Sequence, residues 1–200
     1  MSIGNRWLQL LAKNPGHSAW YIKRFRQLEA EGNDIFGEAR FVDAMVERGS
    51  RILDAGCGSG RIGGRLAQLG HKVVGVDLDP ELLMAADADY PGPKWIHADL
   101  SELNLPAVGV SEHFDAIVCA GNVMNFIDPA TRVSVLQRLS AHLAPSGRMA
   151  VGFGAGQEYP FAEFESDVES AGLRVDIRFS TWHLHPFHTE SDFLVAVLSQ

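Results

Sequence analysis

No run in this 200-residue chain is apolar for anything near the ~20 residues that cross a bilayer, and no stretch resembles a signal peptide. Neither a membrane span nor a secreted product is expected. Cysteine is almost missing: Cys57 stands in a glycine-rich run and Cys119 in an apolar strand pattern. Two isolated thiols make no disulfide framework, so a reducing cytoplasm is the expected compartment and each thiol reads as a small hydrophobe. No His, Cys and carboxylate set stands at metal-ligand spacing, which argues against a metal site. Repeats and low-complexity tracts are also missing. A chain of 200 residues, 46% hydrophobic and 21% charged, suffices for one domain with its own core.

Acid is missing from residues 1 to 28, which hold Arg6, Lys13, Lys23, Arg24 and Arg26. The remainder holds 12 basic and 25 acidic residues and brings the net charge to −8. An acidic body argues against phosphate-backbone binding and hence against a nucleic-acid partner. The basic segment leaves room for a small anionic substrate, or for a carboxylate on a cofactor; its plainer reading is a solvated helix face.

What the chain has is alternation. Residues 1 to 49 read as three helices, broken at Asn14-Pro15-Gly16 and at Glu31-Gly32-Asn33-Asp34. From Arg51 onward strands are expected at 51–55, 72–77, 94–98, 114–120, 147–153, 173–182 and 192–199. Helices are expected near 60–69, 80–88, 130–143 and 160–171. This order predicts an α/β fold, a mostly parallel sheet with helices on both faces. No helix separates the last two strands, so they should form an antiparallel hairpin at the sheet edge.

The first strand runs into Asp54-Ala55-Gly56-Cys57-Gly58-Ser59-Gly60, and a helical pattern follows from Arg61. Glycine at every second position permits a sharp turn and lets a ligand lie on the backbone. Asp54 ahead of the glycines repels a phosphate and suits a ligand bearing positive charge and hydrogen-bond donors. Further acids end the next two strands: Asp77 after Lys72-Val73-Val74-Gly75-Val76, and Asp99 after Trp95-Ile96-His97-Ala98. Gly121-Asn122 follows the fourth strand. Ligands of open α/β sheets bind at such strand ends. Each acid alone also reads as a helix N-cap.

In these positions residues 50 to 155 resemble the class I S-adenosylmethionine-dependent methyltransferases. The resemblance implies a Rossmann-like seven-stranded sheet with a C-terminal antiparallel hairpin, a helical cap over residues 1–49 and a core over 50–200. It implies that Asp54 and the Gly56, Gly58 and Gly60 backbone hold the amino-acid end of S-adenosyl-L-methionine, with Cys57 and Arg61 also in the cofactor site. Asp77 would take the ribose hydroxyls, Leu78 would line the adenine and Asp99 would accept from its amino group; Leu100, Ala120, Gly121 and Asn122 would also belong to the cofactor site. S-adenosyl-L-homocysteine would be the product. The chain lacks the Asn/Asp-Pro-Pro-aromatic tetrad that family members acting on amide or base nitrogens carry after the fourth strand; it has Gly121-Asn122-Val123-Met124-Asn125-Phe126 instead. A small-molecule acceptor is therefore expected, through its O, N or C atom.

The substrate side is less marked. His17, Trp20 and Tyr21 are candidates for a lid, with ordinary helix packing as the plainer reading. Asn125 is a further candidate, and His183 and His185, two residues apart, are expected on one strand face where they could meet a substrate. His71, His97, His113 and His142 read as structural or surface. No catalytic residue is identified. Two alternatives stay open: Gly58-Ser59-Gly60-Arg61-Ile62-Gly63 also fits the G-x-G-x-x-G of nicotinamide-dependent oxidoreductases, and the chain could bind S-adenosylmethionine without catalysis.

Overall fold

The computed structural model describes residues 4–156 and 159–200. The first three residues of the basic segment thus lie outside the described residues. Three helices come first, α1 (Arg6–Lys13), α2 (His17–Ala30) and α3 (Gly37–Met45). Then follow β1 (Arg51–Ala55), α4 (Arg61–Gln68), β2 (Lys72–Asp77), α5 (Pro80–Asp89) and β3 (Lys94–His97). The second half contains β4 (Phe114–Cys119), α6 (Val123–Phe126), α7 (Arg132–Ala141), β5 (Leu143–Gly154), α8 (Phe161–Ser170), β6 (Arg174–Phe179) and β7 (Phe193–Ser199).

The seven strands lie in the order β3-β2-β1-β4-β5-β7-β6. All pair in parallel except β7, which runs antiparallel to both β5 and β6. The expected hairpin is present, but β7 inserts between β5 and β6 and leaves β6 as the edge. The burial along each strand reflects this. Leu194 to Leu198 are buried, whereas most of β6 faces solvent. Two boundaries differ from expectation by more than two residues. β5 starts early at Leu143, and its pairing with β4 slips between Phe114 and Ala116. β6 stops at Phe179, because the chain turns there and Ser180 donates its N–H to the His185 carbonyl.

Because side chains alternate along a strand, one run feeds two cores. Ile52, Val73, Val118 and Ala150 pack under α3 and α4 with Val42 and Leu66. Leu53, Val74, Ile117 and Val151 face α7 and α8 with Leu136 and Phe164. Burial on both faces explains the near-continuous apolar runs of the central strands. Strand order reverses between β1 and β4, and an open sheet has its ligand crevice beyond the strand ends at such a point.

The N-terminal helices are fastened to this edge by one carboxylate. Asp79 caps α5 by accepting from the N–H groups of Glu81 (2.9 Å) and Leu82 (3.3 Å) through Oδ1. Its Oδ2 accepts from Trp7 Nε1 at 2.9 Å and Ser18 Oγ at 2.5 Å, all of them buried. Around it Trp7, Ile22, Leu82 and Ala85 form a third, smaller core. Removing the carboxylate abolishes a cap and strands two buried donors. Asp79→Ala should therefore cost about 2–4 kcal/mol of unfolding free energy. Denaturant titration checks this, and Asp79→Asn, which keeps an acceptor, should lose less.

Candidate active site

A cavity of about 230 Å³ opens at the point between β1 and β4 where the strand order reverses. Its floor is Gly56 and Gly58 after β1, Asp77 and Leu78 after β2, Ala98 and Leu100 after β3, and Ala120, Gly121 and Asn122 after β4. Its roof comes from the N-terminal helices: Trp7, His17, Trp20, Tyr21 and Arg24. Four successive parallel strands thus deliver backbone turns to one place, and the basic segment closes over an acidic floor.

The loop after β1 is fixed by committed hydrogen bonds. Gly56 and Cys57 both donate to the Val76 carbonyl, at 2.8 and 3.0 Å. Gly58, at φ +55°, donates to Asp77 Oδ2 at 2.8 Å. The other oxygen of Asp77 accepts from the N–H of Asp79 at 2.9 Å. Gly63, in the first turn of α4, donates to Asp54 Oδ2 at 2.8 Å. The N-terminus of α4, where a phosphate would bind, is therefore occupied by a buried side-chain carboxylate.

Charge follows burial. Desolvation pushes Asp54 up to about 7, against the lowering effect of the Gly63 N–H and the Arg61 charge. Burial pushes Asp77 up to about 6, opposed by the N–H groups of Asp79 and Gly58. Tyr21 is pushed up to about 12 by the same cause. Burial also raises both thiols, Cys119 to about 12, which leaves them unreactive. In this floor a cation or a hydrogen-bond donor is favoured, because either one restores the ionised carboxylates.

Of the residues expected at the site, His17, Trp20, Tyr21, Gly56, Gly58, Asp77, Leu78, Leu100, Ala120, Gly121 and Asn122 line the cavity together. Others are close but do not line it. Asp54 is 1% exposed, behind the glycine loop. Cys57 is buried beside Gly75. Gly60, at φ +80°, serves packing: a Cβ there would come within 2.8 Å of Ala86 and 2.9 Å of Trp95. Arg61 makes a two-pronged pair with Glu38 at 2.9 and 2.7 Å, donates to the Ile35 carbonyl and lies over Phe25. Asp99 accepts from the N–H and hydroxyl of Ser101, while its neighbours Ala98 and Leu100 reach the cavity.

The substrate-side candidates divide. Asn125 is buried; its Nδ2 donates to the Gly154 carbonyl at 3.3 Å, and Asn122, at φ +65°, accepts the Gly154 N–H at 2.8 Å. The two asparagines hold the backbone of one residue, Gly154, from its N–H and its carbonyl at the end of β5. His183 and His185 do not share a strand face. β6 ends before them and Leu184 between them has φ +65°, so they lie in a turn. The Ser180 N–H bond to the His185 carbonyl drives that turn. His183 stands 3.4 Å from Arg40 and lines a second, outer cavity of about 620 Å³. Tyr21, Arg24, Gly121 and Asn122 belong to both cavities, so the two adjoin. Sequence reasoning missed Arg24 as a site residue, although it lies one helical turn beyond Trp20 and Tyr21. Among the described residues no group of three or more His, Cys, Asp or Glu side chains is arranged to hold a metal ion. No helix among them is long and apolar enough to cross a membrane.

The raised carboxyl groups fix a pH dependence. Between about pH 4 and pH 7 the folded protein holds protons on Asp54 and Asp77 that the unfolded chain has released, so stability falls as pH rises. Asp54→Asn, which can still accept from Gly63, should flatten that fall by on the order of 2–4 kcal/mol. Denaturant midpoints measured from pH 4.5 to 7.5 check it; parallel profiles for the two proteins would contradict it.

Comparison with known proteins agrees with this geometry. Residues 52–147 match a family described as a methyltransferase domain. An uncharacterised methyltransferase of Mycobacterium tuberculosis is 35% identical over 113 residues, 55% of this chain and 54% of that protein. The chain thus spans about half the length of the curated relatives it matches first. A solved TehB-like SAM-dependent methyltransferase of Corynebacterium glutamicum is 46% identical, with TM-score 0.88, covering 94% of this chain and 100% of that one. A S-adenosylmethionine-dependent methyltransferase of Clostridium acetobutylicum, 14% identical with TM-score 0.76 over 90% of this chain and 98% of its own, shares the fold. With β7 inserted beside the edge strand, an acid ending β2 and the glycine loop after β1, this chain belongs to the class I S-adenosylmethionine-dependent methyltransferase family.

Proposed function

We propose that the chain binds S-adenosyl-L-methionine in the inner cavity and passes its methyl group to a small molecule held in the outer one. The observation that carries this is the occupied N-terminus of α4. With Asp54 seated on Gly63, and the Gly56, Cys57 and Gly58 N–H groups all donating within the protein, the loop has no free cradle for a pyrophosphate. That counts against a nicotinamide dinucleotide. A ligand with two hydroxyls and a cationic end suits the same surface. Asp77 is the residue for the ribose hydroxyls, Leu78, Ala98 and Leu100 for the adenine, and the Gly56–Gly58 backbone for the amino-acid end. Asp99 contributes by setting the turn that carries Leu100, and Asp54 by its field.

The cofactor supplies an activated methyl on a sulfonium; the acceptor's lone pair forms the new bond to carbon as the carbon–sulfur bond breaks. What remains for the protein is alignment and exclusion of water. Tyr21, Arg24, Gly121 and Asn122, common to both cavities, stand where the two reactants meet, and the roof of Trp7, His17 and Trp20 keeps the junction dry. No residue is assigned as a base: an already ionised nucleophile has no proton to lose, and a neutral amine releases its proton to solvent after the transfer. Residues 1–49 act in this reading as the cap of a core formed by residues 50–200. An acceptor of metabolite size in the cytoplasm completes the proposal, without nucleic acid.

Titration calorimetry with S-adenosyl-L-homocysteine, S-adenosyl-L-methionine and NADH tests it first: the two sulfur nucleosides should bind and NADH should not. Asp77→Ala should weaken S-adenosyl-L-homocysteine by roughly one to three orders of magnitude, the loss of one or two charge-assisted bonds. Because Asp77 must be ionised to accept two hydroxyls, affinity should rise with pH through about 6 and level off above it. Asp77→Asn should lose the part of that slope centred near 6 and keep any part that follows Asp54 near 7. An unchanged dissociation constant in Asp77→Ala removes Asp77 from the site. Methyl release to a metabolite panel then separates an enzyme from a cofactor-binding protein without catalysis.

A further inference from the structure

The charges that line the outer cavity cancel in pairs until two are left. Arg61 is held by Glu38, and Asp34 by Arg40. What remains is Arg24 and Asp192. Arg24 belongs to both cavities, whereas Asp192 lines the outer one alone, so its charge is met by the acceptor and not by a ligand of the inner cavity. Asp192 is exposed, and no Lys, Arg or His among the described residues forms an ion pair with it. Its place is fixed through the backbone: the N–H of Ala155, just beyond β5, donates to the Asp192 carbonyl at 2.6 Å. At Gly154 the Asp192 carbonyl oxygen, Asn122 Oδ1 and the Phe193 ring come together, at 3.7, 3.7 and 3.8 Å from where a Cβ would lie. Asn122 is common to both cavities, so Asp192 stands beside their junction. Aromatic rings border the same space. Phe193 and Trp182 line it, and Trp182 is clamped between Gly152, where a Cβ would collide with the indole, and Phe41, which it meets edge-on at 5.3 Å. His183 has its Nε2 3.4 Å from Arg40; a guanidinium only donates, so that nitrogen is already spent as an acceptor.

We infer that the methyl acceptor is a small amine on an apolar or aromatic frame, bound as its ammonium by Asp192 with Trp182 and Phe193 beside it. This rests on the reading of the outer cavity as the acceptor's and adds to it the acceptor's charge and its reacting atom. A carboxylate flanked by ring faces favours a cation: the charge pairs with the carboxylate, the rings attract it, and they cover the apolar remainder. The anionic acceptor for which the basic N-terminal segment leaves room meets three carboxylates here, Asp34, Glu38 and Asp192, and one unpaired cation, Arg24. An amine nitrogen has a basic lone pair that amide and base nitrogens lack, so it needs no Pro-Pro-aromatic tetrad after the fourth strand. The ammonium is the bound form and the neutral amine the reacting one. One proton leaves to solvent, the nitrogen lone pair forms the bond to the methyl carbon, and the carbon–sulfur bond breaks with its electrons going to sulfur. The product is a methylated ammonium, and Asp192 is its counter-charge throughout.

Calorimetry on the full chain saturated with S-adenosyl-L-homocysteine tests this with three probes of similar shape: benzylamine, benzyl alcohol and benzoate. Benzylamine should bind about tenfold or more tightly than either of the others. Asp192→Asn should weaken benzylamine by about three- to thirtyfold, a range that allows for the exposure of the carboxylate. It should leave benzyl alcohol and S-adenosyl-L-homocysteine within about twofold. Asp192→Glu should keep most of the preference for the amine. Tighter binding of benzoate overturns the inference and gives the cavity to Arg24. No binding of benzylamine to the loaded protein, or an unchanged constant in Asp192→Asn, overturns it as well. Equal losses of benzylamine and benzyl alcohol in that variant overturn it too, because they mark Asp192 as a brace for the start of β7. All of these outcomes are read on protein that already holds S-adenosyl-L-homocysteine. Failure of S-adenosyl-L-homocysteine itself to bind is therefore a separate result, which fells the cofactor reading and this inference with it.

Discussion

The architecture of the site depends on a buried carboxylate accepting one backbone hydrogen bond, Asp54 from Gly63 at 2.8 Å. It ties the end of β1 to the first turn of α4 across the glycine loop and so sets the loop's path. It also places negative charge at the positive end of a helix, where many α/β proteins receive a phosphate. The same bond is structural and selective: it shapes the crevice and decides which sign of ligand charge enters it. Its desolvation keeps the Asp54 carboxyl raised to about 7, so the unliganded site carries an unfavourable term that a cationic ligand relieves.

Asp77 continues the arrangement one strand over. By accepting from Gly58 and Asp79 it locks the loop to β2 and still faces the cavity. Two residues later Asp79 turns outward and accepts from Trp7 and Ser18 of the N-terminal helices. A stretch of three residues thus contacts the loop, the cavity and its roof. Any ligand that settles on Asp77 acts on a turn already bonded to the cap, and this links occupancy of the floor to the seating of α1 and α2.

Much of this was legible in the sequence, for identifiable reasons. Strand ends were marked by acids after apolar runs, and glycine spacing marked the turn after β1, because both follow from local backbone chemistry. Asp77, Leu78, Leu100 and Gly121, singled out on that ground, line one cavity. The sequence did not reveal which of several nearby polar residues is spent on another. Arg61 reads as a ligand contact until Glu38, 23 residues earlier, is seen to pair with it. Arg24 reads as part of a solvated helix face until the fold is seen to bring α2 over the cavity. The shared strand face of the two histidines failed for a different reason: a strand pattern carried past Phe179 cannot anticipate that Ser180 donates to the His185 carbonyl and turns the chain. Asn125, a substrate-side candidate in the sequence, is buried against Gly154, a long-range contact that local pattern does not show.

The most direct test of the central claim is a crystal structure of the full chain with S-adenosyl-L-homocysteine. The account predicts the nucleoside in the inner cavity, with both ribose hydroxyls within hydrogen-bond distance of Asp77 and the adenine between Leu78 and Leu100. Asp54 should remain on Gly63, untouched by the ligand. Density for the nucleoside in another cavity, or a bound ligand whose ribose does not meet Asp77, would contradict the account.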